Sequence, residues 1–168
     1  MQINFQVTMT SKKLAKFLIN NTYRKLTGII WIVFSLVVVA VTVYTWGKVD
    51  LRSSILMIVL ASLYTVINPL MLIYKAGKQV KGNKAFAEPL NYELDDKGIT
   101  VSQGDDSETT AWDETWKFVK YGDQLIMYIT TVRAFVWPVA DIGEKYDKIV
   151  ALAEEKMGKR CKIKKKAD

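Results

Sequence analysis

Residues 26–46, LTGIIWIVFSLVVVAVTVYTW, and residues 55–74, ILMIVLASLYTVINPLMLIY, run for 21 and 20 positions without one charged side chain. At about 1.5 Å rise per residue, each makes a helix of about 30 Å, the thickness of the hydrocarbon core of a bilayer. Neither shows the polar stripe that a helix on a soluble core turns towards water. Two membrane spans are the reading that follows. A cleaved leader fits poorly, because a strand-like and then charged segment of 25 residues precedes the first run and no small-residue cleavage site follows it.

The connecting segment GKVDLRSS, residues 47–54, is too short to fold, so the spans are expected to form an antiparallel hairpin. Lys12, Lys13, Lys16, Arg24 and Lys25 precede the first span, and Lys75, Lys78, Lys81 and Lys84 follow the second. The loop offers only Lys48 and Arg52 beside Asp50. The positive-inside rule then puts both termini in the cytoplasm. Trp31, Tyr44, Trp46 and Tyr74 lie towards the span ends, where interfacial aromatics belong.

The net charge of +7 is unevenly placed, since from residue 75 onward 17 basic residues face 16 acidic ones. The excess sits in the N-terminal segment and in the tail KRCKIKKKAD. A nucleic-acid partner would call for a basic face on a folded domain, so membrane surface is the expected partner. Lys75, Lys78, Lys81, Lys159, Arg160, Lys162, Lys164, Lys165 and Lys166 are the candidates for contact with anionic lipid head groups. Positive-inside topology with a solvated tail explains the same charges. Cys161 is the only cysteine and histidine is absent, which removes internal disulfides and the usual residues of structural zinc and His-based triads. No cofactor or metal is expected.

Ile3, Phe5 and Val7 alternate with polar residues, the period of a half-buried strand, and Thr10 or Ser11 can cap a helix from Lys12. Residues 1–25 read as this strand and an amphipathic helix, 26–74 as the hairpin, and 75–89 as a basic juxtamembrane linker. Residues 90–158 read as a cytoplasmic domain and 159–168 as a basic tail. Within 90–158 the pattern predicts strands at 90–94, 99–102, 109–121, 125–130 and 133–138, joined by tight turns into an antiparallel meander. Asp141 and Glu144 resemble a capping box for a closing helix of residues 142–157. The fold class is α+β: a helical hairpin plus a curved antiparallel sheet covered by one C-terminal helix. An N-terminal strand completing that sheet would make the hairpin an insertion within one domain.

The segments PLNYELDDKGITV, AWDETWKFVKYGDQLIMYI and AFVWPVADIGEKYDKIVALAEEK resemble the bacterial YcxB-like family, whose soluble part is similar to a pleckstrin-homology fold. In that pattern a tryptophan opens the third strand, a hairpin tip follows, and an aliphatic-Pro ending leads into the last helix. Trp112, Gly122-Asp123 and Val136-Trp137-Pro138 take those places here. Where many relatives carry a basic residue after the proline, this chain has Val139. The resemblance implies a bacterial inner-membrane protein, and, through related anchored domains, a link to envelope defence and resistance to peptide bacteriocins.

Asp113 and Glu114 are adjacent, so on a regular strand they point to opposite faces and cannot converge on one atom. Trp112, Trp116 and Phe118 share a face in that strand. With Trp137 they are either core or an exposed binding platform, and core is the expectation. Asp105, Asp106 and Glu108 lack EF-hand spacing and read as a polar hairpin tip. Asn68-Pro69 inside the second span marks a kink with an interhelical hydrogen bond. The functional expectation is a non-enzymatic scaffold that binds a protein partner or its own copies. The alternative is an immunity or envelope-stress protein that meets membrane-active peptides.

Overall fold

The computed structural model describes residues 2–83, 86 and 88–163. The chain forms two compact units: the first ten residues with the chain from Asn83 onward, and Ser11–Gly82. The segment expected as one N-terminal piece is therefore divided after Thr10.

The first unit is built on antiparallel sheets. Strand β1 (Ile3–Val7) pairs with β2 (Leu90–Leu94), Val7 opposite Leu90 and Ile3 opposite Leu94. The helical segment is thus inserted into a β-hairpin. Strands β3 (Gly98–Gln103) and β4 (Asp106–Ala111) extend the sheet in the order β1-β2-β3-β4. A second sheet has the order β5-β6-β7, from Lys117–Tyr121, Gln124–Tyr128 and Ala134–Pro138. Alternation in β1 buries Ile3, Phe5 and Val7 and leaves Asn4 and Gln6 outside. The sheets meet through their rings: Phe5 lies 5.4 Å from Trp137 edge-on, and Tyr92 lies 5.6 Å from Phe135.

The closing helix differs from the expectation. Val139–Ile142 makes a single turn, α5, and Gly143 ends it with φ +52°, a left-handed backbone that glycine adopts without strain. The long helix α6 begins only at Tyr146, with Lys145 in the N-cap position, and runs to Met157. Asp141 and Glu144 therefore do not box its start. Its face of Ile149, Val150, Leu152, Ala153 and Met157 joins the core.

The second unit is helical. α1 (Ser11–Tyr23) packs along α4 (Asn68–Gly82), and α2 (Leu26–Tyr44) packs along α3 (Leu51–Ser62). Two helices are long and apolar enough to cross a membrane: Leu26–Tyr44, and Leu51–Gly82 counted through the π turn Leu63–Ile67. The second begins before residue 55 because Asp50 caps it, accepting the Arg52 amide at 2.8 Å and the Ser53 hydroxyl at 2.9 Å. It also continues through residues 75–82, expected as linker. Buried positions on α2 are Gly28, Ser35 and Thr42, and on α3 Ser54 and Ala61. Each set repeats every seven residues, and Ser35 Oγ donates to Ala61 O at 2.9 Å. Small residues at Ser35, Thr42, Ser54 and Ala61 let the two backbones approach, whereas Gly28 lies against the end of α1, where a Cβ would stand 2.3 Å from Thr22 O; the large apolar side chains point outward.

The kink at Asn68-Pro69 has a specific geometry. The Asn68 amide reaches back five residues to Leu63 O, and Pro69, next in that register, has no N–H to give Tyr64 O. The Tyr23 hydroxyl supplies the missing donor at 2.6 Å and itself accepts from Asn68 Nδ2 at 3.2 Å. A polar tie thus joins α1 to the second long helix.

Candidate functional site

The segment 109–121, expected as one strand, is broken in the middle. Its first part ends at Ala111, opposite Gly98 at the start of β3, where a Cβ on the glycine would stand 2.3 Å from Thr110 O and 3.0 Å from Ala111 Cα. After Ala111 the chain turns through a 3-10 segment, Trp112–Glu114. Thr115 closes the turn, its hydroxyl donating to Trp112 O at 2.6 Å. Glu114 reaches back to the Ala111 amide at 3.1 Å. The adjacent acids therefore belong to a turn rather than to a strand, and Glu114 is a backbone cap.

The break also separates the aromatics expected on one face. Trp112 is buried, and its Nε1 donates to Asp95 O at 2.8 Å, which ties it to the β2–β3 turn. Phe118 and Trp137 are fully enclosed in the core, 5.7 Å apart. Trp116 is instead turned out of the core and is 47% exposed. Its ring stands edge-on to Tyr128 at 6.0 Å, and Lys117 Nζ lies 4.3 Å and 4.6 Å from the Trp116 and Tyr128 ring centres. Loss of water around the Tyr128 ring pushes its phenol up to about 12. At the same end of this sheet the β6–β7 loop presents Val132, 89% exposed. Among the described residues of the sheet unit, Trp116 and Val132 are the large apolar side chains left in solvent. This corner, an aromatic edge with a cation over it and an aliphatic tip beside it, is the candidate binding surface.

The basic candidates divide between the units. Lys75, Lys78 and Lys81 are exposed on α4 of the helical unit, whereas Lys159, Arg160 and Lys162 belong to the sheet unit. Arg160 is engaged within the fold: its Nη1 donates to Asp113 O at 3.1 Å and also to Thr115 O. It pins the turn. Lys164, Lys165 and Lys166 lie outside the described residues. Cys161 forms a parallel bridge to Phe118, and the Lys162 amide donates to Phe118 O at 2.7 Å, so the chain after α6 borders β5. Among the described residues no group of three or more Cys, Asp or Glu side chains is placed to hold a metal ion.

Two features escaped the sequence reading. The seven-residue spacing of Gly28, Ser35 and Thr42 and of Ser54 and Ala61 was visible in the letters, and would have given the face on which the helices meet. The exposure of Trp116 had no such signal. Comparison of the chain with protein families, curated proteins and solved structures finds no match.

Proposed function

We propose that this is a non-catalytic protein of a bacterial inner membrane, anchored by the helical unit, whose sheet domain is pleckstrin-homology-like and binds a protein partner or another copy through the Trp116 corner. The order of four strands, then three, then a closing helix supports the pleckstrin-like reading. The observation that carries the binding reading is the pairing of Trp116 and Val132 at one end of a unit that otherwise encloses its large apolar side chains. Exposed aromatics of this kind are the usual anchors of protein interfaces. Crosslinking in native membranes tests it. A reproducible partner or oligomer is expected in the wild type and is lost in Trp116→Ala/Val132→Asp; a strict monomer in native membranes defeats the reading. Topology has its own assay in Cys161. An impermeant maleimide labels it only after lysis if both termini are cytoplasmic.

A second reading, protection against membrane-active peptides, draws on an apolar groove of about 570 Å³ in the helical unit, lined by residues including Trp31, Phe34, Val38, Met57, Leu60 and Tyr64. Its size and apolar walls suit an inserted helix. Unchanged sensitivity of a deletion strain to a broad panel of such peptides would count against it.

A further inference from the structure

On α4, Tyr74, Gly77, Lys78, Lys81 and Gly82 line an open groove of about 500 Å³. Their spacing of three and four residues puts them on one face of the helix, rising about 10 Å from Tyr74 to Lys81. Ala76, on another face, is fully buried. The groove begins where the apolar surface ends: Leu70, Met71, Ile73 and Tyr74 are exposed, and lysines follow.

The glycines give the groove its depth. In a helix interior glycine is the least favoured residue after proline. Packing does not account for Gly77, because a Cβ there would meet nothing within 4 Å among the described residues. Its backbone is not left-handed either; Gly82 is the last residue of α4, an ordinary place for glycine, which leaves Gly77 as the unexplained one. The absent side chains are the hollow itself.

The electrostatics favour an anion. Among the described residues no carboxylate lines the groove. Residues 11–82 carry ten Lys and Arg against the single acid Asp50, and α1 and α4 together hold six lysines and no acid. The carbonyl end of α4 contributes about half a negative charge, which opposes an anion and which two ammonium groups outweigh. Positive-inside topology needs these charges somewhere near the span, but it needs neither a glycine hollow nor lysines placed around it.

We propose that this groove binds the phosphate-bearing head group of an anionic phospholipid from the leaflet around the hairpin. Lys78 and Lys81 donate to the phosphate oxygens, Gly77 makes room for the glycerol, and Tyr74 lies against the neck of the acyl chains.

The test uses the full chain, purified in detergent and titrated with phosphatidylglycerol or phosphatidylcholine, the retained lipid being read by native mass spectrometry. Wild type is expected to retain phosphatidylglycerol in preference. Lys78→Gln/Lys81→Gln weakens that retention by about twenty-five-fold, roughly fivefold for each lysine. Gly77→Phe removes the preference with every charge in place and the far-UV spectrum unchanged. If Gly77→Phe loses helicity, Gly77→Leu, a good helix former that still fills the hollow, takes its place with the same expected loss. Equal retention of phosphatidylcholine, or retention indifferent to filling the hollow, overturns the proposal. Displacement of the lipid by millimolar inorganic phosphate would also overturn it, making the groove a free-anion site.

Discussion

In the sheet unit the enclosed side chains include many large ones, Trp137, Phe118, Leu94, Ile99, Leu125, Ile126 and Met127 among them. In the helical unit α1 encloses Leu14 and Ala15, whereas on α2, α3 and α4 the enclosed positions are all small, Gly28, Ser35, Thr42, Ser54, Ala61 and Ala76, while Ile30, Phe34, Leu36, Val37 and Leu60 face outward. One chain thus packs by two opposite rules. Water rewards burying apolar area, at about 25 cal/mol per Å², and so draws bulky residues inside. Lipid tails are as apolar as leucine and offer no such gain, so close approach of backbones through small residues takes over. Small residues inside and large apolar ones outside are what the membrane anchoring proposed for α2 to α4 calls for.

The contrast breaks first if bulk matters equally in both units. Trp137→Ala removes a side chain that touches the Phe5, Tyr92 and Phe118 rings, and is expected to cost about 3–5 kcal/mol, enough to unfold the sheet unit. Leu36→Ala, on the outward face of α2, is expected to cost less than about 0.5 kcal/mol. Denaturant titration of the solubilised chain, followed by near-UV circular dichroism, measures both. Comparable losses would remove the distinction.

The reverse experiment adds volume. Ala61→Leu puts three carbons into the seam where Ser35 meets the Ala61 carbonyl, and is expected to destabilise the hairpin by about 1–3 kcal/mol. The readout is the detergent fraction at which helicity falls. Val39→Leu, exposed on the partner helix α2, is the control with no expected change. A tolerated Ala61→Leu would mean that the helices do not meet on this seam.

Each unit also has a part-buried polar tie from an aromatic side chain to a backbone carbonyl. Trp112→Phe deletes the indole bond to the Asp95 carbonyl and leaves that oxygen unpaired, at an expected cost of about 1–2 kcal/mol. Tyr23→Phe deletes the donor that serves Tyr64 O beside Pro69, and measured hydrogen bonds between membrane helices suggest about 0.6 kcal/mol, less than in the sheet unit. A larger loss for Tyr23→Phe than for Trp112→Phe would reverse the ordering.

What the letters made legible follows from these rules. Unbroken apolar runs declare their own environment, and the Asn68-Pro69 pair declared its kink, because a missing N–H needs a substitute donor wherever it occurs. Alternation gave strand β1, and the turn residues that bound short segments gave β2, β3, β6 and β7. The break at residues 112–116 was hidden by parity. Trp112 and Phe118 are both buried and six apart, as one continuous strand would have them, yet Trp116 between them is turned out. The strand stops where its partner β3 begins, Ala111 opposite Gly98, and the next strand pairs in the other sheet, a tertiary fact with no local signature. The late start of α6 is similar in kind: glycine at 143 could have been read as a cap or as a helix interior, and only its φ of +52° decides.

Acid gives the smallest and most selective contrast. The Asp95 carboxylate accepts the Gly98 and Lys97 amides at 2.9 Å and 2.8 Å, and Asp96 pairs with Lys156 at 2.9 Å; these bonds hold both carboxyls below the usual range. A carboxyl whose folded pKa is depressed contributes stability that is fully present above the unfolded value of 3.8 and is lost as pH falls through the folded value. Both groups are exposed, so the effect is modest. The sheet unit's unfolding midpoint should be level from about pH 7 to 5 and decline below about pH 4, with Asp95→Asn removing part of the decline. The helical unit carries a single acid, Asp50, lowered by the Arg52 amide at the head of α3. Its stability should change less over the same interval. Following tryptophan fluorescence in a Trp31→Phe/Trp46→Phe background isolates the sheet unit, and far-UV circular dichroism in detergent follows the helices. Parallel acid sensitivity of the two units would show that they do not unfold as separate bodies.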